Sequence, residues 1–193
     1  GNRIEFNDID VSGYGIVVAD ATANTIEGNS VTGARYGILD ARLSWTTPTT
    51  NVYLHNDVRD SGVFGMLAFG TSPRLLGNTF ARNGSGPAPP ATDDALFRAL
   101  LSGARGGVAL LPSTGFGNDT IDDGDPSNDR LATASIGGKR GFEANVFLDN
   151  GDVDIFMVDT RAANATTLDR DNRFRRTPRG RRVSWMANRA VRF

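Results

Sequence analysis

The hexapeptide Ile26-Glu27-Gly28-Asn29-Ser30-Val31 sets a pattern that returns along this chain of 193 residues. The pattern is an apolar residue, two spacers, an asparagine, a third spacer and a second apolar residue. Further copies occupy residues 4–9, 53–58, 75–80 and 142–147, and a looser copy ends at Asn172 and Phe174. Such an internal repeat is typical of solenoids, because each unit buries its apolar face only against its neighbours.

A second apolar run, usually led by glycine, lies between consecutive copies, at residues 15–18, 37–39, 65–67, 107–110 and 154–158. The step from Asn7 to Asn29, like that from Asn56 to Asn78, is 22 residues. This length fits a coil of two or three short strands and is too short for a βαβ unit of about 30 residues. All eight prolines fall outside the strand phrases, as backbone pairing requires. The sequence therefore predicts an all-β fold, a parallel β-helix of about five to six coils.

Composition excludes several classes of protein. The net charge of -1 gives no reason to expect a nucleic-acid partner, and the absence of cysteine excludes disulfides, cysteine-ligated zinc and thiol catalysis. The sequence shows neither an apolar run of about 18 residues nor a signal peptide, so we expect no membrane span. Because the chain opens at Gly1 inside a repeat, we also expect further coils or a cap to precede it.

Three segments interrupt the period: residues 42–51, 85–104 and 112–141. The middle one contains a predicted helix over residues 92–101, with Thr92 as its N-cap and four apolar side chains on one face. We assign residues 1–174 to the β-helix domain and residues 175–193 to an arginine-rich tail. The tail is interpreted as a cap over the end of the solenoid or as a surface for an anionic partner.

The glycine-led strands carry apolar residues at alternating and at intervening positions, so both faces of their sheet are predicted to be apolar. One column on the outer face would hold Val17, Leu39, Leu67, Ala109 and Phe156. Such a face needs a cover, which the inserted helix or a partner chain in a trimer would supply.

The recurring asparagines at a bend, together with the 22-residue coils, resemble the right-handed parallel β-helix of the pectate-lyase-like superfamily. The resemblance covers roughly residues 1–84, 105–111 and 142–174. It implies an extracellular or cell-surface domain that binds or processes a polysaccharide, as a lyase, epimerase or hydrolase. The alternative is a non-catalytic structural or adhesive module within a larger surface or oligomeric assembly.

His55, Arg59 and Lys139 are the candidate catalytic residues. His55 is the only histidine, and a base beside an acid and an arginine suits lyase or epimerase chemistry. The other interpretation is that His55 simply fills a bend, since it occupies the column that other coils fill with Phe6, Gly28, Gly77 and Ala144.

Trp45, Arg42 and Arg140 are the candidate substrate-binding residues. Trp45 offers a ring on which a sugar stacks, and the two arginines offer partners for carboxylates.

The acidic stretch 115–125 resembles one calcium-binding nonapeptide of the repeats-in-toxin kind. Asp119, Asp122, Asp123 and Asp125 offer the hard oxygen ligands that Ca²⁺ prefers. The following residues depart from the nonapeptide pattern, so a solvated acidic loop is the alternative to a calcium site.

Overall fold

The computed structural model describes residues 1–42, 50–86, 103–111, 133–138, 140–157 and 166–175, and the backbone of residues 181–186 and 190–191. Within these ranges nineteen β-strands form three sheets, and the helical structure is one 3-10 helix, Gly141–Glu143. The prediction of an all-β chain is confirmed.

Each coil contributes one strand to each sheet. The first sheet contains β1 (Arg3–Glu5), β4 (Thr25–Glu27), β7 (Val52–Leu54), β10 (Arg74–Leu76), β13 (Ser135–Ile136) and β16 (Thr167–Leu168). The second sheet contains β2 (Asp8–Asp10), β5 (Ser30–Thr32), β8 (Asp57–Arg59), β11 (Thr79–Ala81), β14 (Val146–Leu148) and β17 (Arg173–Arg175). The third sheet contains β3 (Tyr14–Ala19), β6 (Tyr36–Ala41), β9 (Phe64–Phe69), β12 (Gly106–Leu111), β15 (Val153–Met157), β18 (Arg181–Met186) and β19 (Ala190–Val191).

The chain visits the three sheets in the same order six times, and strands of successive coils pair in parallel and in register. Only β18 and β19 pair antiparallel among the described strands. The fold is thus a right-handed parallel β-helix, as predicted. We call the turn between the first and second sheets the first bend, the next turn the second bend, and the return to the following coil the third bend.

Six asparagines form a continuous ladder at the first bend: Asn7, Asn29, Asn56, Asn78, Asn145 and Asn172. The Oδ1 atom of each later asparagine accepts the backbone N–H and the Nδ2 group of its counterpart in the preceding coil, at 2.8–3.0 Å. From the second coil onward, Nδ2 also donates to a carbonyl of the preceding coil's first-sheet strand, at 2.8–2.9 Å. The side chains thereby satisfy backbone groups that the bend leaves unpaired.

Two shorter ladders were not predicted from the sequence. At the second bend, Asn83 Nδ2 donates to Asn150 Oδ1 at 3.2 Å. At the third bend, the backbone N–H of Asn2 donates to Asn24 Oδ1 at 2.8 Å, and Asn24 Nδ2 donates to Asn51 Oδ1 at 3.0 Å. All three bends therefore carry asparagine ladders.

The predicted fifth copy of the repeat is wrong in one respect. The sequence pattern placed Phe142 at the buried strand position, but Ile136 on β13 pairs with Leu75 there and is fully buried. Phe142 lies instead on the 3-10 helix and is 61% exposed. Asn145 keeps its place in the ladder. The first bend of this coil is longer than in the other coils, because it includes the residues between the end of β13 and Asn145. As a result, β13 lies inside the segment that the sequence pattern assigned to the insertion 112–141.

Side chains that point inward fill the lumen of the coils with an apolar core. Three phenylalanines stack along it: the Phe80 and Phe147 ring centroids are 5.5 Å apart, and those of Phe147 and Phe174 are 4.9 Å apart. The stacking confirms that the looser sixth copy belongs to the solenoid.

The outer face of the third sheet carries a second apolar cluster. Its strand register aligns the predicted column Val17, Leu39, Leu67, Ala109 and Phe156. Leu67 and Ala109 are fully buried, whereas Val17 in the first coil is 51% exposed. The predicted apolar face is confirmed, and the helix predicted over 92–101 lies outside the described residues.

The third sheet continues beyond residue 174, because β18 pairs in parallel with β15. Part of the arginine-rich tail therefore completes the sixth coil. Among the described residues, no helix is both long and apolar enough to cross a membrane.

Candidate functional site

The residue before each ladder asparagine faces outward at the first bend. Phe6, Gly28, His55 and Gly77 hold this position in the first four coils, and all have left-handed backbone conformations with φ between 53° and 63°. A Cβ on Gly28 would collide with the Phe6 ring, and one on Gly77 would collide with the His55 ring. Each ring therefore lies over the glycine of the next coil, where no side chain competes for the space.

The 3-10 helix brings two predicted site residues together around Phe142. His55 Nε2 lies 3.3 Å from the Phe142 carbonyl oxygen, and the two ring centroids are 6.4 Å apart. The Arg140 guanidinium carbon lies 5.9 Å from the centre of the Phe142 ring. The backbone N–H of Gly77 donates to the Glu143 carbonyl at 2.9 Å, which attaches this helix to the bend. We call Phe6, His55, Phe142 and Arg140 the first-bend surface.

Two members of this surface are unusually exposed for large apolar side chains: Phe6 is 76% exposed and Phe142 is 61% exposed. Sequence reasoning missed both as site residues, because the repeat pattern places Phe142 at a buried strand position and gives Phe6 no role beyond the column that it shares with His55. The available signal was the position of Phe6 directly before the ladder asparagine, where the left-handed backbone turns the side chain outward.

Arg59 does not join His55. It lies at the other end of β8, and its Nε donates to Asp57 Oδ1 at 2.5 Å. This hydrogen bond raises the pKa of Arg59 above its ordinary value. In the next coil Arg82 pairs with Asp60 through two hydrogen bonds of 2.8 and 2.6 Å. Each of these two arginines is thus neutralised by a neighbouring aspartate.

Arg42 follows β6 at the third bend and is only 6% exposed, so little of its side chain is available to a ligand. Its backbone N–H donates to the Phe69 carbonyl at 2.8 Å. The remaining predicted site residues, Trp45, Lys139, Asp119, Asp122, Asp123 and Asp125, lie outside the described residues. Within the described ranges, no three His, Asp or Glu side chains are placed to share a metal ion.

A separate cleft of about 550 Å³ opens at the second bend. Arg105, Asp149 and Asp152 line it together with several glycines, and Arg105 Nη1 donates to the Gly86 carbonyl at 3.2 Å. The cleft lies across the second sheet from the first-bend surface, so the two do not form one site.

No family model, curated protein or solved structure matches the chain in the comparisons made. The fold and its surface therefore define the class of protein: a right-handed parallel β-helix with asparagine ladders and an aromatic, cationic surface along one bend.

Proposed function

We propose that this chain is an extracytoplasmic β-helix domain whose first-bend surface binds a polysaccharide. The proposal depends chiefly on three exposed rings, Phe6, His55 and Phe142, that follow one edge of the solenoid. The resemblance to the pectate-lyase-like superfamily supports the same class of ligand.

The spacing of the rings suits an extended ligand. Phe6 and His55 are two coils apart, which is about 10 Å because adjacent strands lie about 4.8 Å apart. His55 and Phe142 follow at 6.4 Å. A polysaccharide lying along the solenoid axis would meet ring after ring, each offering an apolar face to the C–H face of a sugar.

Arg140 adds a polar contact to the apolar rings. No carboxylate lies within ion-pair distance of its guanidinium among the described residues, in contrast to Arg59 and Arg82. Within the described ranges no hydrogen bond occupies its five N–H donors, which suit the hydroxyl, carboxylate or sulfate groups of a bound sugar.

We propose binding as the main activity, with turnover as the less supported extension. The His55 Nε2 atom faces the Phe142 carbonyl, and Arg59 is paired with Asp57. A general base needs an unprotonated nitrogen within reach of the substrate proton. When Nε2–H donates to this carbonyl, Nδ1 is the nitrogen left for that role, so catalysis by His55 would proceed through Nδ1.

Affinity electrophoresis and calorimetry with polygalacturonate and with dextran test the proposal. We expect Phe142→Ala to weaken binding about tenfold, the loss expected for one stacking contact of about 1.4 kcal/mol. Tyr14→Ala is the matched control, because Tyr14 is an aromatic residue, 39% exposed, on the third sheet, away from this surface. The affinity of the Tyr14→Ala variant for both polysaccharides should stay unchanged.

Arg140→Met separates the contribution of charge from that of the rings. We expect it to weaken binding of polygalacturonate more than binding of dextran, because only the former carries carboxylates. Absence of binding to both polymers, or an equal loss in the Phe142 and Tyr14 variants, would contradict the proposal.

The second candidate function is a structural module, and the apolar residues on the outer face of the third sheet favour it. Val17 and Tyr14 are exposed there, although their counterparts Leu39 and Tyr36 in the second coil are buried. Assembly in solution without polysaccharide binding would support this alternative.

A further inference from the structure

We propose that His55 is a positioning residue of the first-bend surface, whose Nε2–H holds the 3-10 helix against the bend and thereby places Phe142 and Arg140 for a ligand. The inference rests on the proposed polysaccharide binding, because it assigns a role within that same surface. The attachment of the helix can be measured without any ligand, so a failure of this inference is distinguishable from a failure of the proposed function.

Two consecutive carbonyl groups attach the 3-10 helix to the first bend. The Phe142 carbonyl oxygen lies 3.3 Å from His55 Nε2 in the third coil, and the Glu143 carbonyl accepts the backbone N–H of Gly77 in the fourth coil at 2.9 Å. A carbonyl oxygen only accepts hydrogen bonds, so Nε2 is the nitrogen that carries the hydrogen. The second contact uses a backbone group, whereas the first requires a donor on the side chain at position 55.

Apolar burial contributes little to this attachment. None of the three residues of the 3-10 helix is buried, and the Phe142 side chain is 61% exposed. A single helical turn is also too short to be stable by itself. Between β13 and Asn145, the helix is therefore held mainly by its hydrogen bonds to the bend.

Gly77 lets both partners approach. A Cβ at this position would collide with the His55 ring and with the Phe142 carbonyl. The backbone of Gly77 also has a φ of 63°, a left-handed conformation that glycine adopts without strain. The His55 ring and the helix thus meet over a position that has no side chain.

The helix transmits this contact to Arg140. Glu143 Oε2 accepts the backbone N–H of Arg140 at 3.2 Å, and the Glu143 N–H donates to the Arg140 carbonyl at 2.8 Å. These two bonds close the turn, and the Arg140 guanidinium carbon lies 5.9 Å from the centre of the Phe142 ring. A shift of the Phe142 carbonyl therefore displaces the guanidinium as well.

Phe6 holds the same bend position in a coil whose ring faces no helix. Its backbone has the same φ of 53° as His55, and its ring lies over Gly28 as the His55 ring lies over Gly77. The backbone N–H of Gly28 donates to the carbonyl of Leu54, a strand residue, at 3.0 Å, whereas that of Gly77 donates to the helix. The ring that carries a nitrogen donor thus occurs in the coil that faces the helix.

Two substitutions separate the donor from the ring. His55→Gln keeps a side-chain N–H donor and removes the ring, whereas His55→Phe removes the donor and keeps a ring that Phe6 shows to be compatible with this backbone. Hydrogen exchange of the Gly77 amide, followed by NMR without ligand, reports on the attachment. We expect His55→Phe to speed this exchange about threefold to tenfold, the loss expected for one hydrogen bond, and His55→Gln to change it less than about twofold. The Gly28 amide is the internal control and should exchange equally in all three proteins.

Calorimetry with polygalacturonate tests the role of the attachment in binding. We expect His55→Phe to weaken binding about threefold to tenfold and His55→Gln to bind more tightly than His55→Phe, because positioning needs the donor whereas stacking needs the ring. An unchanged Gly77 exchange rate in His55→Phe, or binding that survives in His55→Phe and is lost in His55→Gln, would overturn the proposal. If the unmodified chain did not bind the polymer, the proposed function would fail, and the exchange rates would still decide whether His55 holds the helix.

Discussion

At the scale of single residues, a buried acid lies in the lumen. Asp40 points inward from β6, between Val18 and Ala68 of the neighbouring coils, and is fully buried. Burial raises its pKa from 3.8 to about 6, against the opposing effects of Tyr53, Asn51 and Thr71. Asn51 Nδ2 donates to the two carboxylate oxygens of Asp40 at 3.2 and 3.4 Å. The Tyr53 hydroxyl interacts with the same carboxylate only outside ordinary hydrogen-bond geometry.

Asp40→Asn should stabilise the protein at neutral and higher pH. Because the folded pKa lies above the unfolded one, the carboxyl favours folding most below pH 3.8 and loses this contribution as the pH rises through about 6. The amide removes the buried charge and still accepts from Asn51, so we expect a gain of up to about 3 kcal/mol at pH 8 that shrinks below pH 4. Urea unfolding at pH 8 and below pH 4 measures this gain in stability. An equal gain at both pH values would contradict the raised pKa of Asp40.

At the scale of structural elements, the first-bend ladder is strongest in the middle coils. Asn78 is fully buried, and its Oδ1 accepts from Asn56 while its Nδ2 donates to Tyr53 O and Asn145 Oδ1. Asn7 in the first coil is exposed. The same side chain therefore has a different energetic role at the two positions.

Asn78→Ala should destabilise the protein by about 3 kcal/mol or more, because it leaves several buried backbone and side-chain groups without partners. Asn7→Ala is the matched control and should cost about 1 kcal/mol or less, since water replaces the lost partners. The free energies of unfolding in urea give both values. Similar costs at the two positions would show that the ladder is not what stabilises the bend.

At the scale of the whole molecule, two apolar clusters lie on opposite faces of the third sheet. One fills the lumen, and the other covers the outer face from the second coil to the fifth. The outer cluster is a second core, since Leu67 and Phe156 are at most 2% exposed although they point away from the lumen.

Leu67→Ala should therefore cost about 2–4 kcal/mol, as for a residue of an ordinary core. Val17→Ala, in the same column but 51% exposed, should cost less than about 1 kcal/mol. Thermal and urea unfolding compare the two variants. A small effect at Leu67 would mean that the outer face contributes little to stability.

The candidate site could be predicted only in part. The position before the ladder asparagine identified Phe6 and His55 as one column, and Arg140 was chosen for its chemistry. The contact of His55 and Arg140 with Phe142 could not be predicted, because a two-residue strand at Ser135–Ile136 has too little periodicity to be recognised. Since this strand takes the buried position, Phe142 lies on the 3-10 helix that comes after it. The catalytic role of His55 and the calcium site stay predictions.

The sequence by itself determined the coil, its strands and the first-bend ladder, because these depend on local periodicity and on one residue type at a fixed spacing. Only the tertiary structure decided which residues share a surface. The ladders at the other two bends, the buried acid in the lumen and the contact between His55 and Phe142 join residues from different coils, up to 87 positions apart in the last case. Such contacts depend on how the coils stack and on where a bend is expanded, and neither leaves a local pattern in the chain.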